Sequence, residues 1–149
     1  MVTRRLADYY VGIEVVVYMG ITQVGLALPA RLLVGRWVRK ALQPSRMLIA
    51  NPEAAQRLNR ICEAVIRRWP TNVLCLQRSL ALLWLLRRHG VSGDLKIGVR
   101  KDGPSLLAHA WVEANGQHLN DSAAHCSQFL QLHDATESLL TLRKAELAS

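Results

Sequence analysis

Cys75 and His109 are the two residues whose types and settings could carry nucleophilic chemistry. The cysteine falls near the start of an apolar run, VLCLQRSLALLWLLRRHG, at 73–90. With Thr71 or Asn72 as the cap, that run is a helix and Cys75 sits at about its third residue. Free backbone N–H groups and the positive end of the helix macrodipole favour a thiolate there, and the same N–H groups could hold an oxyanion. His109 belongs to Ala108-His-Ala-Trp-Val-Glu113. Strand alternation puts His109, Trp111 and Glu113 on one face and Ala108, Ala110 and Val112 on the other. Small flanking residues leave the imidazole room. A histidine within reach of a cysteine is the general base and acid of a thiol-dependent acyl transfer. Each residue also has a plain structural reading: a cysteine buried in an apolar helix, and a satisfied polar group on a strand.

A third group would hold the imidazole, and hairpin register decides which. If Asn115–Gly116 alone form the loop, Asp121 faces Ala110, on the wrong side from His109, and Asn120 lies opposite Trp111, diagonal to the histidine. If the loop is Ala114–Asn115–Gly116, with Gly116 in the left-handed position of a bulged turn, Asp121 is directly opposite His109. A slip of one residue thus exchanges Asp121 for Asn120. Either could orient the base, and the pattern does not choose. Asn72 is a further candidate oxyanion donor. Arg78 and Ser79, one turn beyond Cys75, read as helix packing and as partners of neighbouring carbonyls. His118, His125 and His133 have no spacing that singles them out.

The elements that must position these residues are helical first and stranded later. Helices are expected over about 4–28, 30–42 and 52–68. Asn51-Pro52-Glu53 is a helix start, with a capping residue and proline at the first helical position. Leu58, Ile61, Cys62, Val65 and Trp69 recur below it at helical spacing. The run after Pro70 is apolar almost all round and belongs in the middle of a domain, with Gly90 closing it. Beyond residue 92 the period falls to two: Leu95, Ile97 and Val99 alternate with Lys96, Gly98 and Arg100. Asp102–Gly103–Pro104 is a turn, 108–113 a second strand and 117–122 a third. Asp134 and Glu137 suit a last capped helix to about Leu147. The expected fold is α+β: N-terminal helices, a central buried helix and a small antiparallel sheet.

A chain of 149 residues fits one compact unit, divided here into an N-terminal helical region, 1–50, and a core, 51–149. Cys62, Cys75 and Cys126 are an odd count without paired spacing, which excludes a disulfide framework or a CxxC metal knuckle and suits a reducing, cytoplasmic setting. Cys62 and Cys126 read as small buried hydrophobes. The formal charge is +8, and 31–69 carries nine cations against Glu53 and Glu63. That stretch could meet an acidic partner or an anionic membrane, or simply form a solvated face. With no aromatic-interleaved RNA motif and no helix-turn-helix, nucleic acid is not expected. Residues 15–30 mimic a signal core, but Asp8, Glu14 and Gln23 oppose that reading and the run is short for a span. A buried or membrane-skimming helix is the expectation, giving peripheral membrane contact through the N-terminal helices.

Cys75-Leu-Gln-Arg-Ser-Leu-Ala-Leu82, Leu86-Arg-Arg-His-Gly90, Ile97-Gly-Val-Arg100, Ala108–Glu113 and Asp121 together resemble the leader peptidase of lasso-peptide biosynthesis. This is the stand-alone B2 protein, or the C-terminal half of fused B proteins, in the transglutaminase-like superfamily. The motif match covers about residues 57–122. The resemblance implies a transglutaminase- or papain-like cysteine-protease core with Cys75 as nucleophile, His109 as general base and Asp121 as orienter, which favours the three-residue loop. It implies cleavage of a ribosomally made precursor at the leader–core junction, freeing the amine that a partner cyclase uses. The partners implied are the precursor leader, a separate small leader-binding protein (the recognition element) and the lasso cyclase. With no GxxxxGK[ST] loop, no nucleotide, other cofactor or metal is expected. Two rival readings stand beside it: an acyl transferase of the same superfamily, in which an amine resolves the thioester, and a non-enzymatic basic scaffold.

Overall fold

The computed structural model describes residues 2–27 and 49–132. Three helices come first: α1 at Val2–Ala27, α2 at Pro52–Ile66 and α3 at Cys75–Arg88. Strands β1 (Asp94–Asp102), β2 (Ser105–Ala114) and β3 (Gln117–His118) follow, then a short helix α4 (Ala123–Cys126) and β4 (Leu130–Leu132). The sheet is antiparallel, in the order β3-β2-β1-β4. This is the expected α+β architecture, with one strand and one short helix more than the sequence pattern indicates. The helices expected over 30–42 and 134–147 lie outside the described residues.

The central helix is central because its leucines are buried all round. Leu80, Ala81, Leu82, Leu83, Leu85 and Leu86 are all buried. Burial of each such leucine contributes roughly 1.5–3 kcal/mol. Val11, Val15 and Met19 of α1 and Leu58 and Cys62 of α2 cover α3 on one side, and Leu95, Ile97, Ala110 and Val112 of the sheet cover it on the other. The α2 start forms as the sequence indicates: Asn51 Oδ1 accepts from the Ala54 N–H at 3.0 Å, with Pro52 in the first turn. The far end of α3 closes at Gly90, which has φ of +69°. Glu14 of α1 reaches that end, accepting from Arg88 Nε at 3.0 Å and lying 2.9 Å from His89 Nε2.

The outward face of α1 is apolar as well. Leu6, Tyr9, Tyr10, Ile13, Val16 and Val17 are exposed while Val11, Val15 and Met19 are buried. The helix is therefore buried along one stripe only. No helix among the described residues is long and apolar enough to cross a membrane.

Three local expectations are corrected. The cap of α3 is Leu74, so Cys75 is the first residue of the helix instead of about the third. Gln77 explains the shift: its Oε1 takes the Leu74 N–H at 3.1 Å, and the Thr71 hydroxyl that would have capped an earlier start accepts from Gln23 Nε2. The second correction concerns the hairpin. Ala114 pairs with Gln117, and Asn115 and Gly116 have φ of 53° and 73°, so the loop has two residues and not three. Thirdly, β1 is not wet on its second face at mid-strand, because Gly98 is buried beneath Phe129 and Trp111.

Candidate active site

His109 lies on β2 with its ring on the face away from α3, while Ala110, Val112 and Ala114 fill the core beneath. Its Nε2 is 2.7 Å from Asp121 Oδ2, and both side chains are largely buried. The partner is thus Asp121, although the two-residue loop makes a regular ladder point that residue the wrong way. The ladder does not stay regular. Strand β3 pairs only at Gln117 and His118, and the Leu119 N–H still reaches Val112 O at 2.9 Å. The next main-chain bond is lost: the Val112 N–H donates to Asn120 Oδ1 at 2.8 Å, and Leu119 O accepts instead from Asn59 Nδ2 on α2. Freed from the pleat, the chain turns at 119–122 and brings the Asp121 carboxylate to the imidazole. Asp121 Oδ1 accepts from the Ser122 N–H, which fixes the carboxylate's second oxygen.

Asn120, the rival orienter, has a different position. Its Nδ2 donates to Ser79 Oγ at 2.9 Å, and Ser79 Oγ donates to Ala110 O at 2.9 Å. Both residues are buried, and together they lock α3, β2 and the 119–122 turn into one unit. Ser79 therefore packs against a carbonyl as its sequence position implies. Arg78 turns the other way and pairs with Glu63 of α2.

That lock sets the course of α3 over the sheet. Leu86 lies beside Gly93 and Val112, and Ser79 lies on Ala110. The helix runs alongside β2, and Cys75, about one turn before Ser79, is on the α3 side of the sheet, whereas the His109 ring is on the other face. Cys75 is half-buried against the core, and as the first helical residue it sits where backbone N–H groups have no intrahelical acceptor. Asn72 is exposed in the segment before it.

The other cysteines have different surroundings. Burial, with Glu63 adding to it, pushes the Cys62 thiol up to about 12. Cys126 is brought close to the dyad: its sulfur and one ligand atom each of His109 and Asp121 lie within 4.8 Å of one another. Burial, with the Asp121 and Glu113 carboxylates close by, pushes that thiol up to about 11. At neutral pH Cys126 is a protonated, 3 % exposed thiol at the C-terminal end of a four-residue helix, where the dipole opposes a thiolate.

The wall around His109 is aromatic. Trp111 stacks on it at 5.9 Å, Phe129 lies at 5.1 Å and His125 stands edge-on at 4.9 Å between ring centroids. The room for the imidazole comes less from its small neighbours, which point to the other face, than from Gly98 directly across on β1. Phe129 and His125 carry no sequence signal, because each acts through a contact set by the turn at 119–122 and by α4. His118, Trp111 and Glu113 form a polar edge beside this wall, with Trp111 Nε1 donating to Glu113 Oε1 at 2.8 Å.

The fold is α+β with a half-buried cysteine at the head of its central helix; the His109–Asp121 pair is on the sheet face away from that helix, and the cysteine beside the pair is Cys126. The sequence agrees with this fold: the model of the transglutaminase-like superfamily matches residues 22–134, and the chain belongs to that superfamily. It includes both cysteine peptidases and acyl transferases. No curated protein and no solved structure matches the chain.

Proposed function

We propose that the protein is a cysteine peptidase that removes the leader from a ribosomally made lasso-peptide precursor, with Cys75 as nucleophile, His109 as acid and base, and Asp121 as orienter. The observation that carries the reading is the 2.7 Å contact between His109 Nε2 and Asp121 Oδ2, made at a turn that departs from the ladder to make it. An aspartate on Nε2 fixes the ring and leaves Nδ1 to serve the thiol. The rest of the support is the half-buried Cys75 at the head of α3 and the resemblance of the Cys75, His109 and Asp121 motifs to those of the leader peptidases.

This mechanism requires the head of α3 and the His109 ring to meet at the β2 edge that β3 leaves unpaired before Glu113. There the Cys75 proton passes to His109 and the thiolate adds to the scissile carbonyl of the leader–core junction. First-turn backbone N–H groups of α3 steady the oxyanion. The imidazolium, stabilised by Asp121, protonates the leaving amine as the C–N bond breaks, releasing the core and leaving the leader as a thioester on Cys75. Water then gives its proton to His109 and attacks the thioester, the leader leaves as a carboxylic acid, and the thiol is restored. The partners in this reading are the precursor leader, a separate leader-binding protein and the cyclase that takes the freed amine, in the cytoplasm. The exposed apolar face of α1 is the surface offered to such a partner or to a membrane.

The test is to mix the protein with a precursor and a leader-binding protein and weigh the products. Leader cleavage gives two fragments whose masses sum to the precursor plus one water. A product joining two molecules would identify an acyl transferase instead, and undiminished cleavage by Cys75→Ala would end the assignment.

A further inference from the structure

We propose that the cluster of His109, Asp121, Cys126 and His125 is a binding site for a thiophilic divalent cation of the zinc type, and that the bound ion holds the catalytic pair inactive. The regulatory half of this rests on the function proposed above; the binding half does not. Ligand atoms of His109, Asp121 and Cys126 already lie within 4.8 Å of one another. His125 Nε2 is 4.0 Å from Asp121 Oδ2, and its ring stands edge-on to that of His109. A tetrahedral ion with bonds of about 2.0–2.3 Å needs donor atoms roughly 3.3–3.8 Å apart. His109, Asp121 and Cys126 thus reach coordination distance through side-chain adjustments of about an ångström, the sulfur closing in and the His109–Asp121 contact opening. The His125 ring swings in from beside Asp121 as the fourth donor.

The donor set selects the ion. Two imidazole nitrogens, a thiol and a single carboxylate suit zinc or cobalt and are poor ligands for magnesium or calcium, which want oxygen throughout. Supports for the ligands are already in place. Asp121 Oδ1 is held by the Ser122 N–H, and Ser122 caps α4, the short helix whose backbone carries His125 and Cys126. Entry is from the His125 side, where that ring is 44 % exposed while Cys126 closes the buried floor. A cation here takes the His109 nitrogen and the Asp121 carboxylate that the peptidase reading requires to be free. Binding occurs with loss of the Cys126 thiol proton to solvent, without oxidation or reduction.

Cobalt(II) is the probe, because a cobalt–thiolate bond gives a near-ultraviolet charge-transfer band and a tetrahedral site gives strong visible bands. Titrated into the full chain, cobalt should produce both, and zinc should displace them. Cys75→Ala should retain the spectrum, whereas Cys126→Ser should lose the charge-transfer band. His125→Ala, a change at an exposed ring, should weaken binding at least about tenfold. In a cleavage assay, zinc should inhibit the wild-type enzyme reversibly, and His125→Ala should need correspondingly more zinc relative to its own metal-free rate. A band that survives Cys126→Ser, disappears with Cys75→Ala, or never forms overturns the site. Should the protein prove not to cleave a precursor at all, the spectra still decide the binding proposal on their own.

Discussion

Near its start α3 is tied to the sheet by buried, neutral hydrogen bonds, whereas its last turn is tied to α1 by ion pairs open to water. Ser79 and Asn120 are at most 5 % exposed and link the helix to Ala110 and Val112. Arg88 and His89 meet Glu14 with side chains 62 % and 34 % exposed. A buried bond whose partner is removed leaves an unsatisfied group at a cost of about 1–3 kcal/mol, while an exposed pair contributes little. The end that carries the candidate nucleophile is thus fixed by geometry, and the opposite end is held by attraction that salt and acid can weaken. Precision is concentrated where chemistry would need it.

The largest effects should come from removing the reacting groups without touching the lock. Cys75→Ala and His109→Ala should each lower leader cleavage by at least about 10³-fold, read by product mass, with thermal stability little changed for Cys75→Ala and lowered for His109→Ala, which leaves Asp121 unpaired. Asp121→Asn should lower cleavage by about 10²–10⁴-fold at nearly wild-type stability, because the amide can fill the same space but holds the wrong tautomer. Its neighbour should behave in the opposite way. Asn120→Ala orphans the Val112 N–H and a hydrogen-bonding position on Ser79, so denaturant unfolding should show a loss of roughly 2–4 kcal/mol. Gly98→Ala comes next: a new Cβ would meet Phe129 Cβ at 2.7 Å and the Trp111 ring at 3.1 Å. Overpacking there should cost about 1–3 kcal/mol and disturb the wall around His109, lowering cleavage as well.

The smallest effect belongs to the exposed end. Burial raises the Glu14 carboxyl, but the hydrogen bonds from Arg88 and His89 outweigh it and hold the group below its ordinary value. A carboxyl depressed in the folded state stabilises above its unfolded pKa and loses that contribution as pH falls through the folded value. Glu14→Gln should therefore lower the thermal midpoint slightly near neutral pH, and the difference from wild type should vanish on acidification.

Patterns that depend only on near neighbours along the chain are legible in the sequence. The α2 cap at Asn51-Pro52, the all-round apolar α3, the Gly90 stop and the His109/Trp111 face of β2 follow from local spacing, and the fold has them. The hairpin shows where that reasoning ends. The Asn115–Gly116 signal supports the two-residue loop that forms, yet the resemblance favours a three-residue one, because a continuing ladder could not otherwise bring Asp121 to His109. Both inferences assume that β3 runs on to residue 122. It stops at His118 because Asn120 and Asn59 take over the main-chain bonds, and competition from side chains on distant elements leaves no periodic trace. Leu74 as the α3 cap is hidden for the same reason, since the Thr71 hydroxyl that would have started the helix earlier is occupied by Gln23 of α1. So are α4 and β4: four and three residues respectively are too few to show a period.

The account stands on Cys75 and His109 acting on one substrate, and trapping the acyl-enzyme tests that most directly. Wild-type protein, a precursor and its leader-binding protein would be mixed, quenched in acid within a turnover, and mapped by peptide mass. The prediction is a leader acyl group in thioester linkage on the peptide that carries Cys75, absent from His109→Ala. An adduct on Cys126, or full turnover by a protein that lacks the Cys75 thiol, would contradict it.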